Sequence, residues 1–187
     1  EGHAEILTSV HPTTRAFALE EESSILYWSF WEPKGSGQIV ASDLTQNTQA
    51  IISHHFVTAM KLQSGNLYVS GKINNEHGLY VSRGGHAFQS FQRLPNINPP
   101  DANAWYINEE AIWSIEKIPE NGLAFSLNKL QLDNGDFTSS RVFDYTTQVP
   151  SYTIQPFLGM TGFENEFIFP SINYTKSNLK LLRFNDR

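Results

Sequence analysis

The sequence predicts an all-β protein of the β-propeller class, with about four four-stranded blades. Three observations predict it. Short runs rich in Val, Ile, Tyr, Phe and Trp alternate with clusters of Gly, Asn, Ser, Asp and Pro roughly every 8–12 residues, and helical periodicity is nearly absent. An aromatic-centred phrase recurs four times along the chain. Its period of about 40–50 residues suits a four-stranded blade, a unit that cannot bury both faces of its own sheet and must stack on neighbours.

The repeats follow in order. In residues 11–53, Ala16-Phe17-Ala18-Leu19 leads into Ile25-Leu26-Tyr27-Trp28-Ser29 and then Gly37-Gln38-Ile39-Val40-Ala41-Ser42. In residues 54–95, Ala59-Met60-Lys61-Leu62 leads into Asn66-Leu67-Tyr68-Val69-Ser70 and then Gly78-Leu79-Tyr80-Val81-Ser82. Residues 96–148 repeat the phrase as Ala104-Trp105-Tyr106-Ile107 and Ala111-Ile112-Trp113-Ser114, with a third strand expected in 123–132. Residues 149–187 give Leu158-Gly159-Met160-Thr161, Glu166-Phe167-Ile168-Phe169 and Leu179-Lys180-Leu181-Leu182-Arg183-Phe184. So aligned, Tyr27, Tyr68, Trp113 and Phe167 mark equivalent places, at spacings of 41, 45 and 54 residues.

The last repeat stops after its third strand, while the strand expected at Ala4-Glu5-Ile6-Leu7-Thr8-Ser9, within residues 1–10, precedes the first repeat. Swapped into the last blade, that strand would close the ring and hide a sheet edge. Residues 1–187 are therefore expected to form one propeller domain, either a complete four-bladed ring or part of a larger one, and the closing strand favours the ring.

Composition narrows the partners. The formal net charge is -6 with no run of Lys or Arg, so the basic footprint of a nucleic-acid binder is missing. The acidic clusters Glu20-Glu21-Glu22 and Glu109-Glu110 fall at expected turns and read as solvated loop ends. With no cysteine, disulfides, thiolate metal sites and cysteine nucleophiles are excluded. No stretch approaches the roughly twenty apolar residues of a membrane span. Opening at Glu1 without an initiator Met is what a processed or excised chain shows. Asn173-Tyr174-Thr175 is a glycosylation sequon, which would place Asn173 on a surface turn of a secreted or cell-surface protein.

No residue set predicts catalysis, a metal or a cofactor. His54-His55 are adjacent, and neighbours on a strand point to opposite faces, so the two cannot grip one ion. His3, His11, His77 and His86 are isolated near expected turns. Gly35-Ser36-Gly37 reads as a flexible loop rather than a nucleophile elbow, and Asp133-Asn134-Gly135-Asp136 as a tight hairpin rather than a calcium loop. A sialidase-like glycoside hydrolase would need converging arginines, whereas the six here, at 15, 83, 93, 141, 183 and 187, are not spaced to converge.

Two resemblances carry the fold class further. Ile25-Leu26-Tyr27-Trp28-Ser29-Phe30-Trp31, with Gly37 to Leu44 and Thr48-Gln49-Ala50-Ile51, resembles one blade of the YWTD propellers of LDL-receptor-type ectodomains, with Ser29 and Phe30 where that family carries Thr and Asp. Gly78-Leu79-Tyr80-Val81-Ser82-Arg83-Gly84-Gly85-His86-Ala87-Phe88 resembles an Asp-box hairpin of sialidase-like and sortilin-like propellers, with glycine in the Asp place. Both imply a propeller and neither fixes a function. The expectation is an extracellular module that binds a protein partner through loops on one face. Trp31, Arg83, His86, Phe88, Trp105 and Tyr106 are the contact candidates, since aromatic and Arg side chains dominate interface energetics. A carbohydrate-binding lectin is the alternative, with a glycan in place of the protein.

Overall fold

The computed structural model describes residues 8–32, 36–83, 88, 90–95, 105–108, 110–117, 125–133, 136–144, 153–154, 161–163, 166–173 and 178–185. Among them, every regular element is a strand, and all pairing is antiparallel. By Cα proximity the chain divides into two compact units, Glu1–Arg93 and Leu94–Arg187.

The first unit holds two four-stranded meanders. One runs β1 (Thr14–Glu20), β2 (Ile25–Trp31), β3 (Gly37–Asp43) and β4 (Thr48–Ser53), and the other β5 (Phe56–Gln63), β6 (Asn66–Ile73), β7 (Glu76–Ser82) and β8 (Gln92–Arg93), each in sequential order. Turn chemistry fixes these registers. The two-residue loops Ser64-Gly65 and Asn74-Asn75 all have positive φ, the conformation that matches strand twist in tight hairpins, and Asn and Gly adopt it at least cost. At the end of β3, the Asp43 carboxylate accepts from the backbone N–H groups of Thr45 and Gln46 at 2.8 and 2.9 Å and from the Thr45 hydroxyl at 2.7 Å. These bonds stabilise the ionised form and hold the Asp43 pKa below the usual carboxylate range, the Thr45 hydroxyl contributing most.

Strand alternation then sorts the side chains. Tyr27 lies opposite Ala18 and Ala41, and Ser29 opposite Ala16 and Ile39, so these residues share one face of the first sheet. Met60, Leu67, Val69 and Tyr80 form the facing layer from the second sheet, and the two layers make one buried cluster with Val57, Ile73 and Phe88. β1 lies beside β5, and the Ser29 hydroxyl donates to the Val57 carbonyl at 3.0 Å. The first sheet approaches the start of β5 so closely that a Cβ on Gly37 would sit 2.7 Å from Phe56 Cα, while within the second sheet, beside the register shift where Gly71 pairs with Val57, a Cβ on Gly71 would lie only 2.1 Å from the Phe56 carbonyl oxygen. Glycine at both positions makes room for the start of β5.

The second unit carries β9 (Trp105–Ile107), β10 (Ala111–Lys117), β11 (Phe125–Asp133) and β12 (Asp136–Asp144) in one sheet. The Asn108 side chain caps the first hairpin by accepting from Glu110 and Ala111 N–H at 3.1 and 2.9 Å, and Asp133 pairs with Asp136 to close the last as a tight hairpin. Its other sheet comprises β13 (Thr153–Ile154), β14 (Thr161–Phe163), β15 (Glu166–Asn173) and β16 (Asn178–Asn185). β13 and β14 pair with opposite ends of β15 while β16 takes its other edge, so among the described residues this sheet is three strands wide.

Each expected repeat thus contains one sheet, with one correction to the alignment. Counted two residues on from the closing position of the first hairpin of each sheet (Ile25, Asn66, Ala111, which accepts from Asn108 N–H, and Glu166), the equivalent positions are Tyr27, Tyr68, Trp113 and Ile168. Phe167 is one residue out of register. The closing strand expected over 1–10 lies outside the described residues up to Leu7, and residues 8–10 carry no strand.

Candidate functional site

The best-defined surface constellation sits where β2 ends and β3 begins. Trp31, the last residue of β2, pairs with Gly37 and is half-buried. Its carbonyl accepts from the Thr13 hydroxyl, and its N–H donates to the Thr13 carbonyl at 3.4 Å. Beyond it, Glu32 N–H donates to the Ser36 carbonyl at 2.9 Å, while the Glu32 carboxylate accepts from the Ser36 hydroxyl at 2.8 Å and the Gln38 amide at 3.2 Å. One carboxylate therefore ties both sides of the loop, and the aromatic side chain at its base is presented from a fixed backbone.

Neighbouring groups complete the end of the sheet. His11 stacks on Phe30 with ring centroids 4.6 Å apart. His55, half-buried in the connection to β5, meets Phe91 edge-on at 5.8 Å, and its pKa is lowered first by burial and then by the charge of His54. Chemically this strand end holds an indole and an anchored carboxylate on a fixed backbone. Among the described residues no group of three or more His, Asp or Glu is placed to hold a metal ion, and no helix is long and apolar enough to cross a membrane.

The other predicted contact residues fall elsewhere. Arg83 is exposed, but it follows β7 beyond the Leu67–Ser82 pair, at the end of the second sheet away from the Phe56–Lys72 pair. Because Gly37 abuts Phe56, the Trp31 loop and Arg83 lie at opposite strand ends and do not form one contact surface. This corrects the expectation of a shared face. Phe88 is also corrected: it is fully buried and packs edge-on against Tyr27 at 5.1 Å, inside the core of the first unit. Trp105 is likewise buried, paired opposite the buried Ser114. Tyr106 is half-buried opposite Trp113, over whose ring the Lys129 ammonium stands at 4.7 Å. His86 lies outside the described residues. Asn173 pairs with Asn178 at the end of β15, so the sequon begins at a hairpin turn whose residues 174–177 lie outside the described set.

The arginines at the ends of these sheets are engaged locally: Arg93 with Glu76 at 3.6 Å and with the His77 carbonyl, Arg183 with Glu166. What the sequence did not reveal is the pairing of Glu32 with Gln38 and of Thr13 with Trp31. Only a knowledge of register brings those residues together.

No protein-family model matches the chain, and no curated protein matches it. Among solved structures, it is similar to TolB from Acinetobacter baumannii at 10% identity and a TM-score of 0.56, over 96% of this chain and 45% of that one. It is similar also to the Kuenenia stuttgartiensis hydrazine synthase at 13% identity and a TM-score of 0.51, over 95% of this chain and 55% of that one. The chain thus spans about half the length of the solved structures it matches. At such identities the likeness is one of fold, and the fold is β-propeller-like.

Proposed function

We propose that the four sheets are propeller blades and that the chain is an extracellular or cell-surface module recognising a protein partner at the Trp31 strand end. The observation that carries this reading is the immobilised loop base: a half-buried Trp whose backbone is bridged by Thr13, beside a loop tied by Glu32. A large aromatic held in place this way binds without the entropic cost of ordering it. The YWTD resemblance of this same blade and the sequon at the turn after Asn173 support the extracellular setting.

The test is a screen of arrayed secreted and cell-surface ectodomains with the purified chain, repeated with Trp31→Ala and run beside a glycan array. Protein hits that weaken about 30-fold in the variant, the loss of a typical hot spot, bear the reading out. Hits unchanged by Trp31→Ala, or binding confined to glycans, refute it.

A further inference from the structure

The outward face of the first sheet is the mirror of an interface already formed in the same unit. Phe17, Trp28, Val40 and Ile51 pair in one row across β1 to β4, with Leu19, Leu26, Ser42 and Gln49 in the next row. Taken from the closing pair of each hairpin, Phe17, Leu26, Trp28 and Val40 occupy the positions that Met60, Leu67, Val69 and Tyr80 occupy in the second sheet. Those four second-sheet residues pack on the first sheet. The first sheet therefore carries, on its far side, the type of surface that a neighbouring sheet receives.

Among the described residues, no sheet covers the whole of it. Phe17 is 71% exposed and Ile51 54%, yet Trp28 and Val40 between them are each only 5% exposed. Residues 8–11 lie on this face. The Gln49 amide donates to the Thr8 hydroxyl and the Ser9 carbonyl, each at 3.1 Å, on the outer strand β4. Two residues after Ser9, His11 stacks on Phe30 of β2, at the opposite end of the sheet, and the His11 carbonyl accepts from Thr14 N–H and hydroxyl at 3.0 and 2.6 Å. A segment joining those two anchors has to cross the face diagonally, over Val40 and Trp28, whose indole N–H donates to the Ser42 hydroxyl at 2.8 Å beneath it.

A surface of the complementary type is present in the second unit. Thr161, Ile168 and Arg183 pair across the last sheet in the register of Lys61, Tyr68 and Val81, and Leu181, two residues from Arg183, shares their face. Ile168 is 40% exposed and Leu181 71%. In the first sheet this register position is Tyr27, the face on which the second sheet packs.

We propose that residues 8–13 are a strap holding the place of a neighbouring sheet, and that its release opens a self-association face that takes the Ile168–Leu181 face of a second copy. A head-to-tail contact that closes on itself gives a discrete dimer. The strap ends at Thr13, whose hydroxyl also holds the Trp31 carbonyl, so the substitutions that release it leave Thr13 in place and the strap is tested apart from the loop.

The chain has no cysteine, so single introduced thiols report cover directly. Val40→Cys should resist a thiol reagent at least tenfold more than Phe17→Cys while the strap is closed. Gln49→Ala with His11→Ala should release the strap. At low protein concentration the thiol of Val40→Cys then reacts as fast as that of Phe17→Cys, and raising the concentration restores its protection as sedimentation shows a dimer. Adding Leu181→Glu to the released variant should return it to monomer, with circular dichroism confirming that the sheets persist. The proposal is overturned if the thiol of Val40→Cys reacts fast with the strap intact, if the released variant stays monomeric at every concentration, or if it associates equally well with Leu181→Glu.

Discussion

Gly71→Ala is the sharpest probe of how the start of β5 is held between its partner strand β6 and the first sheet. An added Cβ would lie 2.1 Å from the Phe56 carbonyl oxygen and 2.9 Å from Val57 Cα, about 0.9 Å inside the 3.0 Å that real Cβ atoms respect. The obstructing atoms are backbone and cannot rotate away. Relaxation by shifting residues 56–57 is blocked from the other side, where Gly37 already sits so close that its own Cβ would meet Phe56 Cα at 2.7 Å. The strain belongs with overpacking, about 1–3 kcal/mol, and moving Val57 also loosens the Ser29 hydrogen bond, worth about 1 kcal/mol. Against this, Ala restricts the unfolded chain and returns roughly 0.4–1 kcal/mol. The net loss is about 2 kcal/mol, which at a typical urea slope of about 2 kcal/mol/M lowers the unfolding midpoint by about 1 M. Urea titration followed by tryptophan fluorescence reads the shift, and amide exchange in β5 and β6 locates it. Gly37→Ala should be non-additive with it, because both press on the same segment. A Gly71→Ala protein whose midpoint equals or exceeds that of the parent would refute the packing described here.

Two further outcomes follow from burial. Phe88→Ala should cost about 3–5 kcal/mol, read in the same urea assay, whereas Phe88→Leu should retain most of the stability, since the ring fills the core beside Tyr27. Lys61, half-buried on β5, has its pKa lowered by burial to about 8 from 10.5. The unfolded state therefore binds the extra proton between those values, so stability rises with pH from about 8 towards 10.5, by at most about 3 kcal/mol. Burial raises the pKa values of Tyr68 and Tyr80, so the unfolded tyrosines ionise first and stability falls again above about pH 10. Stability measured against pH should lose its rising limb, and keep the falling one, in Lys61→Met; an unchanged rise would show that Lys61 is not its source.

Much of this architecture was legible because the repeat is written in local signals. Strand-forming runs, the glycine and asparagine turns, and the recurrence of Tyr27, Tyr68 and Trp113 at matched hairpin positions are each set within about ten residues of chain. The fourth member was misplaced by one residue because Phe167 and Ile168 are both strand-forming. Composition favours the aromatic one, and only the Phe163–Glu166 pair reveals the register. A slip of one residue exchanges the two faces of a strand, so the error concerned which side meets a neighbour and left the existence of the sheet untouched.

The contact candidates fared differently for a physical reason. Phe88 follows Gly84-Gly85-His86-Ala87, and a phenylalanine after such a run reads as an exposed loop anchor. Whether it is one depends on a partner about sixty positions away, Tyr27, whose ring edge offers more than solvent does. Trp31 differs from it because its hold comes through the backbone: Thr13 bonds the Trp31 carbonyl and Glu32 ties the adjoining loop, and the residue itself stays half-buried. An aromatic that is fixed through its backbone and still half-covered is free to meet a partner, while one fixed by burying its ring is not. That distinction, and not residue type or loop position, is why Trp31 remains a contact candidate and Phe88 does not.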